Sequence, residues 1–287
     1  MIWFDGSFVN EANVSVLAHS LHYGGAVFEG IRFYNSAKGS AVFRLGDHVR
    51  RLFFSAEFVG MELPLSRERV CEVVLEAVKR SGLTQGYIRP LVFRGEGLGL
   101  SSAGSEAHLA VIVLPWKKSS TGIRLKVSSI IRLHPRSTVL QAKIAGHYVN
   151  SFLAAAEAKK SGADDSLLLD YKGNLGETSV ANVFVVNGAR VATPPADCIF
   201  AGITRDSVMR LCKYAGIAVE ETDIALKMAW EAAAVFIAGT ASEVCPVTEL
   251  DSLAVPNCAV ARKCRRLYNL AVMGNLEAFS HWLTCVK

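Results

Sequence analysis

The stretch "DSLLLDYKGNLGETSVANVFVVNGARVATP", residues 165–194, decides the fold class of this chain. Its leucines and β-branched residues come in short runs, separated by the turn signals Lys172-Gly173-Asn174 and Asn187-Gly188. Loops this short join antiparallel neighbours, whereas a parallel pair needs a crossover of about a dozen residues or more. The same pattern extends outward. "MIWFDGSFV" (1–9) turns back at Asp5-Gly6, a pair that tolerates positive φ, and "VFEGIRFYNSAKGSAVFRL" (27–45) pairs two strands about a loop from Asn35 to Ser40. "YIRPLVFRG" (87–95), "HLAVIVLP" (108–115) and "IRLKVSSIIRL" (123–133) add further strands.

Helices sit between them. Asp47 is placed to cap one running through about Val59, and Ser66 to open another, in which Val70, Val73, Val74, Ala77 and Val78 fall at the i, i+3, i+4, i+7, i+8 spacing of a single apolar face. Further helices are expected over about 147–161, 204–215, 224–232 and 258–276. The polar "WKKSSTG" (116–122) is the one turn-rich break of its length near the middle, so an interdomain linker is predicted at 115–121, between a small domain (1–114) and a larger one (122–287). The expected fold class is α+β: two domains with largely antiparallel or mixed sheets.

With 287 residues, 51% of them hydrophobic and 20% charged, the chain has the composition of a soluble globular protein with sizeable cores. Its longest apolar run, "LAVIVLP" (109–115), is far short of the about 20 residues that span a bilayer. The first residues lack a basic and then apolar leader, so no membrane association and a cytoplasmic location are expected. Seven scattered cysteines without a CxxC pair read as reduced thiols and not as metal ligands. A net charge of +5, dispersed apart from "RKCRR" (262–266), argues against nucleic acid and suits small anionic ligands.

Chemistry enters at "STVLQAKIAGHYVNSFLAAAEAKKSG" (137–162), where Lys143 stands between Ala142 and Ile144 in a run with almost no other charge. A desolvated ammonium gives up its proton more readily, and a neutral amine is the nucleophile that condenses with carbonyls. A lysine that snorkels its head into water is the plain alternative. Three other stretches offer matching groups. "AGITRDSVMRL" (201–211) sets Gly202 and Thr204 at a helix start suited to phosphate, or simply a threonine cap. "FIAGTASEV" (236–244) leaves a strand through small residues whose N–H groups could approach an anion. "NLGETSVANVF" (174–184) puts Glu177 just ahead of a strand, where a carboxylate could hold a pyridine nitrogen protonated. The glycines of "GEGLGL" (95–100) precede no predicted helix, which argues against a dinucleotide loop.

Taken in order, "LHYGGAVFEGIRFY", "DHVRRLFFSA", "YIRPLVFRGEGLGL", "AKIAGHYVNS", "GETSVANVF", "GITRDS" and "GTASEVCPV" resemble the fold-type IV pyridoxal-phosphate enzymes, and among them the branched-chain amino acid aminotransferases. The resemblance runs nearly end to end. It implies a D-amino acid aminotransferase-like fold and pyridoxal 5′-phosphate carried on Lys143. It further implies Glu177 on the ring nitrogen, Tyr148 on the phenolic oxygen, and the phosphate held by Arg51, Ile203, Thr204 and Thr240. On the substrate side it implies Tyr87 with the Thr240-Ala241 backbone for the α-carboxylate. Phe28, and Tyr23 from a second subunit, would line the side-chain pocket, and Arg89 would meet the distal carboxylate of glutamate. The implied reaction is transfer of the amino group of leucine, isoleucine or valine to 2-oxoglutarate by a homodimer or larger homo-oligomer. Relatives on the same scaffold that use D-amino acids or (R)-amines, or that cleave aminodeoxychorismate, are the alternative. A non-catalytic module that binds a phosphorylated ligand is the reading from another class.

Three departures from the family pattern stand out. Thr178-Ser179-Val180-Ala181-Asn182 lacks a second glutamate before the asparagine, which leaves the hydrogen bonds there and the partner of Arg32 open. Ala145-Gly146 replaces Gly-Gly after the lysine, and "DCIFAGITR" replaces a leucine-proline approach to the phosphate helix.

Overall fold

A computed structural model describes residues 1–100, 105–116 and 121–287. The chain divides into two compact units, the first comprising Met1–Lys117, Ala142–His147 and Ala271–Lys287, the second Lys118–Gln141 and Tyr148–Leu270. The expectation is a single break at 115–121; in this grouping Ala142–His147 and Ala271–Lys287 fall with the first part of the chain. Residues 117–120 of that predicted linker lie outside the described residues.

In the first unit, β1 (Ile2–Phe4) and β2 (Ser7–Val9) form the expected hairpin, with Asp5 and Gly6 at φ +42° and +99°. There follow α1 (His19–Tyr23), β3 (Val27–Phe28), β4 (Ile31–Ser36), β5 (Gly39–Phe43), α2 (Leu45–Phe58), α3 (Arg67–Ser81), β6 (Gly86–Arg94) and β7 (Ala107–Leu114). The C-terminal strand Leu283–Cys285 adds to β5, giving the order C-terminal strand–β5–β4–β6–β7–β1–β2, with β3 on β6. Every pairing in this sheet is antiparallel. The predicted apolar face of α3 is buried throughout and packs on β1, β6 and β7, and the Ser66 side chain accepts from the Arg69 N–H as its cap. Asp47 is not a cap. Arg44, in the left-handed region, precedes α2, and Asp47 instead binds Arg44 and Arg50 from within the first turn.

The second unit contains β8 (Ile123–Val127), α4 (Tyr148–Lys160), β9 (Asp165–Leu169), β10 (Leu175–Thr178), β11 (Asn182–Asn187), β12 (Arg190–Thr193), α5 (Ile203–Tyr214) and β13 (Ala218–Glu221). Next come α6 (Leu226–Trp230), β14 (Ala234–Gly239), β15 (Glu243–Leu250), β16 (Leu253–Ala254) and α7 (Ala259–Val272). The sheet runs β10–β9–β8–β15–β14–β11–β12–β13, and β10 also pairs with β11, so six strands close on themselves. Closure removes the free edges that an open sheet would expose. The sheet is mixed: β8–β9, β8–β15 and β12–β13 are parallel, each crossing the chain through a helix or a long connection. Alternate residues Val183, Val185, Val235, Ile237, Cys245 and Val247 fill one core as the pleat demands, while Phe184 and Phe236, out of step with them, stack at 4.9 Å.

Candidate active site

Lys143 belongs to the first unit, although it lies far along the chain. The segment 142–147 is sewn to the strand before it by backbone bonds: Phe28 N to Lys143 O (3.1 Å), Ala145 N to Ala26 O (2.7 Å) and Gly146 N to Gly24 O (2.9 Å). Gly146 eases that approach, since a Cβ on it would crowd the Gly24 carbonyl oxygen at 3.1 Å. The Lys143 N–H donates to Ser55 Oγ at 2.9 Å. Its neighbours Ala142 and Ile144 are buried, while Lys143 itself is half-buried with Nζ 5.3 Å from the centre of the Phe28 ring. The lysine is neither sealed in the core nor extended along a strand edge.

Behind Phe28 lies a polar cluster that the sequence reading did not assign. Glu29 is fully buried. Arg51 donates to it through Nε (2.6 Å to Oε1) and Nη2 (2.9 Å to Oε2), and His48 Nδ1 lies 2.7 Å from Oε2. Burial alone would raise the Glu29 carboxyl, but Arg51 and His48 hold it far below the usual carboxylate range. Burial likewise keeps His48 below its ordinary value against the pull of Glu29. His48, Arg51 and Ser55 recur at i, i+3 and i+7 along α2, and a lone glutamate interrupts the apolar "VFEGI"; those two signals could have found the cluster.

On β6, Tyr87 and Arg89 share a face as alternate residues. The Tyr87 hydroxyl accepts from Arg89 Nη2 at 2.6 Å, and the Arg89 guanidinium lies 4.5 Å from the Phe28 ring centre. Tyr87 also stacks on Trp116 at 5.1 Å. Gly30 has no room for a side chain here, because a Cβ would stand 2.3 Å from Tyr87 Oη. Arg32, left open above, donates to the Gly86 carbonyl at 3.1 Å and lies over the rings of Tyr34 and Trp116. Tyr23 stands 43% exposed at the end of α1, its hydroxyl accepting from Gly99 N at 2.8 Å.

In the second unit, Glu177 faces Asn182 across the β10–β11 pairing that closes the ring of strands. Gly176 beside it lies in a register shift, where a Cβ would meet the Leu168 carbonyl oxygen at 2.9 Å. The missing second glutamate is not missed locally. Glu177 Oε1 accepts from Arg132 Nε (2.5 Å) and from Phe200 N (2.9 Å), and Oε2 accepts from Asn182 Nδ2 (3.1 Å). Asn182 also accepts from Gly202 N and donates to the Phe200 carbonyl, and Gln141 holds Ile199 and Ala201. These bonds fix the approach to α5 without the proline stiffening of the family pattern.

α5 starts after Gly202, not at a threonine cap, and no side chain caps it. Thr204 is buried at its second position. The start of a 12-residue helix is the kind of donor set a phosphate wants. Thr240 and Ala241 follow β14 half-buried, beyond Gly239, where a Cβ would meet Ala181 Cβ at 2.9 Å. Tyr148 opens α4, half-buried, directly after a 3-10 turn over Ala145–His147. The first unit thus gathers Lys143, Phe28, Arg51, Tyr87 and Arg89, and the second holds Glu177, Tyr148, Ile203, Thr204, Thr240 and Ala241. An amine, an arginine, a helix start and a hydrogen-bonded carboxylate fit pyridoxal phosphate in kind.

A family model described as amino-transferase class IV matches residues 26–250. The branched-chain-amino-acid aminotransferase of Pseudomonas aeruginosa is 36% identical, with 100% of this chain and 97% of that protein covered. A crystal structure of branched-chain aminotransferase from Thermoproteus uzoniensis with norvaline is similar at a TM-score of 0.96 and 35% identity, over 100% of this chain and 99% of that one. The Escherichia coli branched-chain amino acid aminotransferase gives a TM-score of 0.95 and 33% identity, over 100% of this chain and 99% of that one. With a family model along most of its length and relatives this similar over the whole of it, the chain belongs to the class IV aminotransferases and, among them, to the branched-chain amino acid group.

Proposed function

We propose that this chain moves the α-amino group of leucine, isoleucine or valine to 2-oxoglutarate, with pyridoxal 5′-phosphate as cofactor. One observation carries the reading. The Phe28 ring is flanked by the Lys143 amine at 5.3 Å and the Arg89 guanidinium at 4.5 Å, so a single apolar surface lies beside both a nucleophile and a fixed cation. An aliphatic side chain suits the ring, and the second carboxylate of glutamate suits the guanidinium at its edge.

Bound pyridoxal phosphate supplies an aldehyde for the amine and a ring that withdraws electrons from the substrate Cα. Lys143 would carry the cofactor and would be the group that holds the proton exchanged at the substrate Cα. Glu177 accepts the ring N–H, and Tyr148 binds the phenolic oxygen. Arg51, the Ile203 and Thr204 N–H groups and Thr240 would hold the phosphate; the Nε–Nη2 edge of Arg51 is taken by Glu29, so its charge and remaining N–H groups would serve there. Tyr87 and the Thr240-Ala241 backbone take the α-carboxylate, while Phe28 and Tyr23 of a second subunit enclose the side chain.

A homodimer follows from that use of Tyr23. Leu17, Leu21, Leu98 and Leu100 are between 47% and 88% exposed, on α1, just ahead of it, and on the segment bonded to both through Gly97 and Gly99. An apolar patch of this kind is covered in a stable assembly. Sedimentation showing a monomer at every concentration would refute the dimer. No described helix is long and apolar enough to cross a membrane. The cytoplasm, where thiols stay reduced, suits the seven free cysteines, and cell fractionation checks that placement.

Steady-state rates with L-leucine, D-alanine and 4-amino-4-deoxychorismate test the reaction. Turnover of L-leucine with 2-oxoglutarate is expected to dominate; none at all would rule the assignment out.

A further inference from the structure

Arg132 follows β8 and is anchored by its backbone N–H to the Leu169 carbonyl at 2.8 Å. Its side chain is 8% exposed and that of Glu177 7%. A buried ion pair is weak evidence for stability, because desolvating both charges offsets much of their attraction. This pair is poorly built for stability in a second way: Arg132 Nη1 is buried with no hydrogen-bond partner among the described residues. Such an orphaned donor adds a further cost that a neutral, well-packed pair would avoid. Some other property must depend on the arginine.

That property is visible in how the donors divide between the two carboxylate oxygens. Oε1 takes two, the Arg132 Nε–H and the Phe200 N–H. Oε2 takes one, from Asn182 Nδ2. A carboxylate oxygen has about two lone-pair sites, so Oε1 is saturated and Oε2 keeps a site for one more donor. Without Arg132 each oxygen would keep one donor, the Phe200 N–H on Oε1 and Asn182 Nδ2 on Oε2, and the two would no longer differ in the site they leave open. The Asn182 carboxamide cannot restore the difference, since it is also held by the Phe200 carbonyl and the Gly202 N–H.

We infer that Arg132 is a positioning residue for Glu177: it saturates Oε1 and so presents Oε2 as the one oxygen able to accept an N–H from the bound heteroaromatic ring. The inference rests on the role given to Glu177 above. It goes further in naming the oxygen and the residue that selects it.

The test is an equilibrium titration of the full chain, stripped of cofactor, with pyridoxal 5′-phosphate and with its 1-deaza analogue, in which carbon replaces the ring nitrogen. The wild-type protein is expected to bind the natural ring at least about tenfold more tightly, the scale of a hydrogen bond to a charged group. Arg132→Met should bring that preference to about twofold or less, and Arg132→Lys, which keeps a charge but not the fork, should leave it between the two. In a Glu177→Gln background the preference should be the same whether residue 132 is Arg or Met. Weaker binding of both ligands with the tenfold preference intact would make Arg132 a structural residue only and overturn the inference. Should Arg132→Met fail to fold, Arg132→Lys carries the same comparison. A wild-type protein indifferent to the ring nitrogen would remove the role of Glu177 itself, and this inference with it.

Discussion

Arg51 grips Glu29 with two nitrogens, Nε at 2.6 Å and Nη2 at 2.9 Å, around a carboxylate that has no contact with solvent. The guanidinium proposed for the cofactor phosphate is therefore aimed by a residue that cannot touch the phosphate. Removing the carboxylate takes the ion pair from a buried imidazole and a partly buried guanidinium together. Glu29→Ala should cost on the order of 3–5 kcal/mol, the usual penalty for breaking a buried pair from one side. Urea denaturation at pH 7 measures it. A loss under about 1 kcal/mol would mean that the cluster relaxes or hydrates freely.

The same cluster sets an acid limit on stability. His48, buried, is held below its ordinary value of 6.5, and Glu29, despite its burial, is held by Arg51 and His48 below its ordinary 4.5. In both cases the unfolded chain binds the proton more readily than the folded one, so stability is full above the unfolded values and is lost as pH falls toward the folded ones. The loss from His48 begins below about pH 6.5 and that from Glu29 below about 4.5. Unfolding free energy is expected to decline from pH 7 to pH 5, and His48→Gln should flatten that decline. A steeper fall in the variant would contradict the assignment of a neutral, buried imidazole.

Gly30 is required by Tyr87. A Cβ at Gly30 would stand 2.3 Å from Tyr87 Oη and 3.1 Å from its Cζ, so Gly30→Ala must push the phenol off the Arg89 guanidinium. Overpacking of this kind typically costs about 1–3 kcal/mol of stability, and the displaced phenol should separately lower kcat/KM for leucine by about tenfold, or about 1.4 kcal/mol. Tyr87→Phe in the same chain removes the nearer atom and should recover part of the folded stability. Wild-type kinetics in Gly30→Ala would show that the Tyr87–Arg89 pair does not shape the substrate pocket.

What could be read in the sequence was what local spacing encodes. The apolar face of α3 and the Asp5-Gly6 turn were legible because each depends on residues within a turn or two of one another. Asp47 misled because a good capping residue can also serve inside the first turn, where the helix dipole and Arg44 and Arg50 hold it. The C-terminal strand could not be read: Leu283–Cys285, with no marked pattern, pairs with β5 near the other end of the chain. Lys143 and Glu177 stood out as charges in apolar or small surroundings, but their supports did not. Ser55 meets the backbone of Lys143 across 88 positions and Arg132 meets Glu177 across 45, and such distances are set by sheet register, which no short window records.

The central claim, that the amine of Lys143 is the group that bonds to the cofactor, has a direct test. Pyridoxal phosphate is added to the purified full chain, the product is reduced with borohydride, and the peptides are mapped by mass spectrometry. One phosphopyridoxyl group on Lys143, absent from Lys143→Ala, is the expected result; modification of other lysines only, or of none, would contradict it.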